Sequence, residues 1–209
     1  MRINLADPST ATTLRAFDAE AVRTSVDLVA LATESDLARP TPCVDWTLHG
    51  LIAHMATQHY GFAAASTGAD DPGLWKRYPI DDDPIAAYRG CAEHVIGVFA
   101  ADGVLDREFP LPEFGAGAVF PGRYAISFHF IDYVVHSWDV ARTLGVEVAF
   151  GAELLDAALA VAKAVPTGDT RLAPGAAFAP ALTFSGTDRL GEVVAMLGRA
   201  PDWHPKERT

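Results

Sequence analysis

Five polar side chains, His129, Asp132, His136, Asp139 and Thr143, recur at spacings of three, four, three and four within the run Ser127 to Gly145. On a helix, residues three or four apart are neighbours, so these five make one narrow seam. Asp132 and His136, one turn apart, have the reach to bind a single cation together. Most of the run is otherwise apolar all the way round: Phe128, Phe130, Ile131, Tyr133, Val134, Val135, Trp138, Val140, Ala141 and Leu144. A helix of that kind is normally buried, so the seam is predicted to look into a core or a cavity. Buried imidazoles and carboxylates there need partners or a metal, because an unpaired charge inside a protein is expensive.

A third ligand must come from another helix. His54, in the run LIAHMATQ among Leu51, Ile52 and Met55, is the candidate; the alternative is a hydrogen-bonded core histidine. Two histidines and one carboxylate with a position left open describe a catalytic site better than a closed structural one. Gln58, one turn beyond His54, can orient a ligand or water. Asp139 can accept the second ring N–H of His136 and fix its tautomer, or pair with Arg142. His129, two turns before His136, reads as a substrate-side group or as a satisfied core histidine. His49, His59, His94 and His204 read as surface or core residues, and no catalytic acid, base or nucleophile is assigned. Cys43 and Cys91 have no basic neighbour in sequence that would make a thiolate, and there is no C-x-x-C, G-x-S-x-G, P-loop or G-x-G-x-x-G.

The elements that must position these groups are helical. Leu14, Phe17, Ala21, Val22, Leu28 and Leu31 recur near a 3.6-residue period and predict a helix over Thr10 to Glu34. Pro40 and Pro42 break the chain. A second helix follows over Trp46 to Ala65, with Thr47 or Asp45 as its cap. The DDDP at Asp81 to Pro84 opens a third helix, an acidic cap with proline at the first position, running to about Ala101. Asp106 to Gly122, with its glycines, prolines and single aromatics, predicts a short irregular hairpin. Pro121-Gly122 opens the seam helix and Gly145 ends it in the left-handed conformation. Further helices are expected over Ala152 to Val165 and Thr187 to Leu197, separated by a Pro/Gly-rich stretch. This pattern predicts an all-α protein: a four-helix bundle over residues 1–150 and a small helical extension over 151–209 packed on it.

Composition limits the partners. The 209 residues carry a net charge of −11 with no lysine/arginine cluster, which disfavours nucleic acid and anionic membrane. Apolar runs are interrupted well before the ~20 residues of a membrane span, and MRINLADPST lacks a hydrophobic signal core. A cytoplasmic location is expected. A homodimer is the default for a soluble protein.

The runs PTPCVDWTLHGLIAHM, PGRYAISFHFIDYVVHSWDVARTLG and LGRAPDW resemble the actinobacterial metal-binding relatives of mycothiol-dependent maleylpyruvate isomerase, within the DinB-like superfamily. The C-x-x-W-T-x-x-x-L-x-x-H and D-x-x-x-H-x-W-D-x-A runs are the most specific part. The resemblance implies a DinB-like four-helix bundle whose divalent metal is held by His54, Asp132 and His136. It also implies use of a low-molecular-weight thiol such as mycothiol. The chain departs from the isomerase in carrying Asp132 where that enzyme has glutamate.

The leading functional expectation is a metal-assisted, thiol-dependent S-transferase or isomerase acting on a small electrophile. The ion is expected to be zinc, with nickel, iron or manganese compatible with the same donors. Two alternatives stand beside it: a metal-dependent hydrolase, with Asp139 or His129 as base, and a metal- or ligand-binding protein without turnover.

Overall fold

The computed structural model describes residues 8–43, 46–76, 78–80, 82–173 and 176–205. Among the described residues six α-helices carry the architecture: α1 (Pro8–Val29), α2 (Leu48–Ala65), α3 (Pro84–Phe99), α4 (Gly122–Leu144), α5 (Ala152–Ala164) and α6 (Arg189–Met196). The first four close a ring in which α1 packs on α4, α4 on α2, α2 on α3 and α3 on α1. This is the all-α bundle that the sequence predicts. Helix α5 packs on α4 and α6, and α6 also touches α4. No helix among the described residues is long and apolar enough to cross a membrane.

Local sequence accounts for where these helices start and stop. Helix α2 begins after Thr47, whose side chain accepts the Gly50 N–H at 3.3 Å. Asp45, the other candidate cap, lies outside the described residues, as does Asp81. Asp83 caps α3 by accepting the Ala86 N–H at 2.9 Å, with Pro84 in the first turn where its missing donor costs nothing. Gly145 ends α4 at φ 72°, with its N–H directed at Ala141 and Arg142. Helix α1 ends earlier than the apolar period suggests, at Val29. Leu31 continues the period yet is 58% exposed, because Thr33 and Asp36 instead close a short 3-10 turn over Glu34–Asp36.

The expected hairpin is present. Strand β1 (Glu108–Pro110) pairs antiparallel with β2 (Val119–Pro121), Phe109 opposite Phe120. It delivers the chain directly into α4. Gly122, the first residue of α4, donates its N–H to the Arg107 carbonyl at 2.8 Å. A Cβ at Gly122 would fall 2.0 Å from the Val104 carbonyl oxygen, so only glycine lets α4 start this close to the hairpin.

The core runs down the bundle axis. Tyr88, Tyr133, Phe109 and Phe130 are among its largest fully buried side chains, each contributing on the order of 1.5–3 kcal/mol by burial. Facing pairs across α2 and α4 set their relative direction: His54 lies 5.3 Å from His136 between ring centroids, and His59 lies 5.2 Å from His129. Residue numbers rise on one helix as they fall on the other, so α2 and α4 run antiparallel.

Candidate metal centre

The seam of α4 does face inward. His129, His136, Asp139 and Thr143 are buried, and the Asp132 side chain is 20% exposed. Across from it, α2 presents His54. The donor atoms of His54, Asp132 and His136 all lie within 4.8 Å of one another. His136 Nε2 is 3.4 Å from Asp132 Oδ1. Trp46 stacks on the His54 ring at 4.3 Å and lies 6.4 Å from that of His136, forming an aromatic wall behind the two imidazoles.

Protonation suits these groups to accept a cation. Burial, and next the His136 ring, hold His54 down to about 4, so its imidazole is neutral at physiological pH. Asp139 is fully buried. Burial opposes its charge, but Arg199 and the His136 hydrogen bond more than offset this, and its carboxyl is held below the ordinary carboxylate range. An ionised Asp139 can only accept, so the 2.9 Å contact between His136 Nδ1 and Asp139 Oδ2 is an N–H donation from His136. That orients the ring and turns Nε2, the nitrogen that would serve as a ligand, toward Asp132. Two imidazoles and a carboxylate converging from two helices are a donor set that fits a divalent cation of borderline softness.

Asp139 is itself anchored by a residue that sequence reasoning did not single out. Arg199 Nη2 lies 3.2 Å from Asp139 Oδ2 and 3.6 Å from Cys43 Sγ. Arg199 follows α6, so the C-terminal segment reaches the bundle interior. Arg142, the nearer candidate partner of Asp139, points elsewhere. It donates to the Pro201 carbonyl at 3.1 Å and stacks over Trp138.

Gln58 and His129 fall on either side of the site's limits. Gln58, one turn after His54, directs its Nε2 at both carboxylate oxygens of Glu113, at 3.1 and 3.0 Å. Glu113 sits between β1 and β2, in a stretch whose glycines and prolines gave no signal of function. Burial raises its carboxyl's affinity for protons, the Gln58 bond opposes this, and the like charge of Asp132 adds to the rise.

His129 takes the core alternative. Its Nδ1 lies 2.7 Å from Asp18 Oδ1 and its Nε2 lies 3.0 Å from His59 Nδ1. The chain of contacts continues from His59 Nε2 to the Tyr88 hydroxyl at 3.3 Å and on to Ser25. Both ring nitrogens of His129 are committed inside the bundle, on contacts to α1 and α2. His59, read from sequence only as surface or core, is fully buried.

Fold and site together define a helical, DinB-like bundle with an inward-facing pair of histidines and a carboxylate. The chain belongs to the family described as the mycothiol maleylpyruvate isomerase N-terminal domain, which matches residues 18–141. Two uncharacterized proteins from Mycobacterium tuberculosis strains, MT0763 and Rv0738, are each 32% identical over 157 residues, covering 73% of this chain and 78% of theirs. The crystal structure of a mycothiol-dependent maleylpyruvate isomerase is similar over 92% of this chain and 90% of its own, with TM-score 0.59 and 16% identity. A histidine-to-alanine mutant of that isomerase gives TM-score 0.60. At that identity the likeness is one of fold.

Proposed function

We propose that the protein is a metal-assisted, thiol-dependent S-transferase or isomerase acting on a small electrophilic substrate, with mycothiol or a similar low-molecular-weight thiol as co-substrate. The observation that carries this reading is the convergence of His54, Asp132 and His136 within 4.8 Å. Three protein donors leave a position for an exogenous ligand in a tetrahedral site. The family membership supports the thiol.

His54, Asp132 and His136 would hold the cation, with zinc favoured and nickel, iron or manganese compatible with the donors. When bound, the cation supplies the acidity that converts an incoming thiol to its thiolate near neutral pH. The chain's own residues do the rest. Asp139 and Arg199 keep His136 oriented with Nε2 toward Asp132. Trp46 excludes water from one side of the two imidazoles, which strengthens charge interactions there. The thiol sulfur, having given up its proton, bonds to the electrophilic carbon of an activated C=C bond; the π bond opens and its electron pair passes to the adjacent carbonyl. In a transferase that enolate takes up a proton and the adduct is the product; in an isomerase the carbon–sulfur bond breaks after rotation, the double bond re-forms and the thiol is released. A hydrolase reading gains nothing from the geometry. Asp139 and His129, the bases it would call on, are both committed to buried partners.

The reading places the protein in the cytoplasm, where such thiols are kept reduced. Its test is a thiol-conjugation assay on a panel of small electrophiles. Activity should vanish on chelation, return with added divalent metal, and be absent in His136→Ala. Turnover indifferent to chelator and to that substitution contradicts it.

A further inference from the structure

The two histidines of the centre are oriented by different devices. His136 is held through its second ring nitrogen by Asp139. His54 is met by a ring: the Trp46 indole stacks on its imidazole at 4.3 Å between centroids, with the planes 30° apart. His54 and His136 then meet near the perpendicular, at 5.3 Å and 82°.

Local sequence makes the stack possible. Trp46, Gly50 and His54 are each four residues apart, which sets them on one side of the start of α2. Gly50 has no side chain to stand between the other two. Its backbone lies against the indole, since a Cβ there would meet Trp46 Cβ at 3.4 Å and Cδ1 at 3.6 Å. The backbone that carries the indole is itself pinned. The Trp46 N–H donates to the Cys43 carbonyl at 2.9 Å, and the Trp46 carbonyl accepts the Thr41 N–H at 3.3 Å and the Thr41 hydroxyl at 3.0 Å. A bridge pairs Pro40 with Thr47, and the Leu48 N–H donates to the Arg39 carbonyl at 2.9 Å. An imidazole lying on so fixed a surface has already given up much of its rotation. A ligand group held in advance loses less freedom on binding.

The stack also responds to occupancy. An imidazole that shares its lone pair with a cation becomes electron-poor, and the face of an indole carries negative charge. Attraction between the two rings is therefore stronger with the cation in place than without it. An interaction that favours the occupied state raises affinity by that difference.

We propose, resting on the metal-dependent reading above, that Trp46 is a positioning residue for the metal centre: stacked on His54, it sets that ring's orientation and raises the site's affinity for a divalent cation.

The test titrates the full chain with cobalt(II), whose visible absorption reports both affinity and ligand geometry. Trp46→Leu fills space without a π face and should bind cobalt about tenfold more weakly, with an altered spectrum. Trp46→Phe keeps a ring and should stay within about threefold of wild type, with the spectrum retained. His129→Leu, destabilised in the core away from the site, should bind as the wild type does. A second measurement changes no shape: incorporation of fluorinated tryptophan drains the indole's π face and should weaken binding by roughly two- to threefold, an effect absent when Trp46→Phe carries the same label. With cobalt bound by the wild type, four results each overturn the positioning role and leave the metal reading intact: leucine as good as tryptophan, phenylalanine as poor as leucine, a tenfold loss in His129→Leu, or indifference to fluorination. No cobalt bound by the wild type overturns both.

Discussion

Arg199 Nη2 lies 3.2 Å from Asp139 Oδ2, a contact between residues sixty apart in the chain. It joins the segment after α6 to the seam of α4, and through Asp139 it reaches His136 Nδ1 at 2.9 Å. Orientation of one candidate ligand therefore depends on the C-terminal part of the chain. Removing either partner separates two effects. Asp139→Asn keeps the shape but weakens the acceptor and permits the wrong tautomer, and should lower divalent-metal affinity by roughly 10- to 100-fold. Arg199→Ala leaves a buried carboxylate without its counter-ion and should lower stability by about 3–5 kcal/mol. Metal titration and urea unfolding measure the two. A double variant less destabilised than the sum would show that the pair acts as one unit.

The depressed basicity of His54 gives a pH dependence with a definite sign. In the unfolded chain this imidazole has its ordinary value of 6.5; in the folded chain burial and the His136 ring hold it to about 4. Between those values the unfolded chain binds the proton first, so the metal-free protein loses stability as pH falls from 6.5 to 4. The difference of about 2.5 units corresponds to roughly 3 kcal/mol, complete below the lower value. Urea midpoints of the metal-free wild type should fall across this window more steeply than those of His54→Leu. Equal slopes would mean that His54 is not held neutral by the fold.

The buried chain Asp18–His129–His59–Tyr88–Ser25 makes a contrasting prediction. It ties α1, α2, α3 and α4 together without using any of the three candidate ligands. His129→Leu strands Asp18 and a ring nitrogen of His59 in the core, which should cost roughly 2–5 kcal/mol. Metal affinity at a temperature where the variant remains folded should stay within a few-fold of wild type. A large drop in affinity at full folding would put His129 at the site instead.

Much of this architecture is written in local pattern. The inward seam followed from the three-four spacing on a helix otherwise apolar, and the ends of α3 and α4 from Asp83-Pro84 and Gly145. His54 stood out because an imidazole among Leu51, Ile52 and Met55 asks for a partner. What escaped was set by tertiary contact. Arg199 carries no periodic signal, and Arg142 offered Asp139 a nearer partner that the fold turns towards Pro201. Glu113 lay in a hairpin loop whose glycines and prolines announce a turn but not what it covers. Leu31 kept the helical period beyond the point where α1 has a neighbour to bury it. Periodicity reports which face is apolar; it does not report which long-range partner arrives.

Anomalous diffraction from crystals of the protein loaded with a divalent transition metal tests the central claim most directly. One peak is expected, about 2.0–2.2 Å from a nitrogen of His54, Nε2 of His136 and a carboxylate oxygen of Asp132, and none should remain there in His136→Ala. No peak among those three side chains at saturating metal, or a peak elsewhere that survives the substitution, would contradict the account.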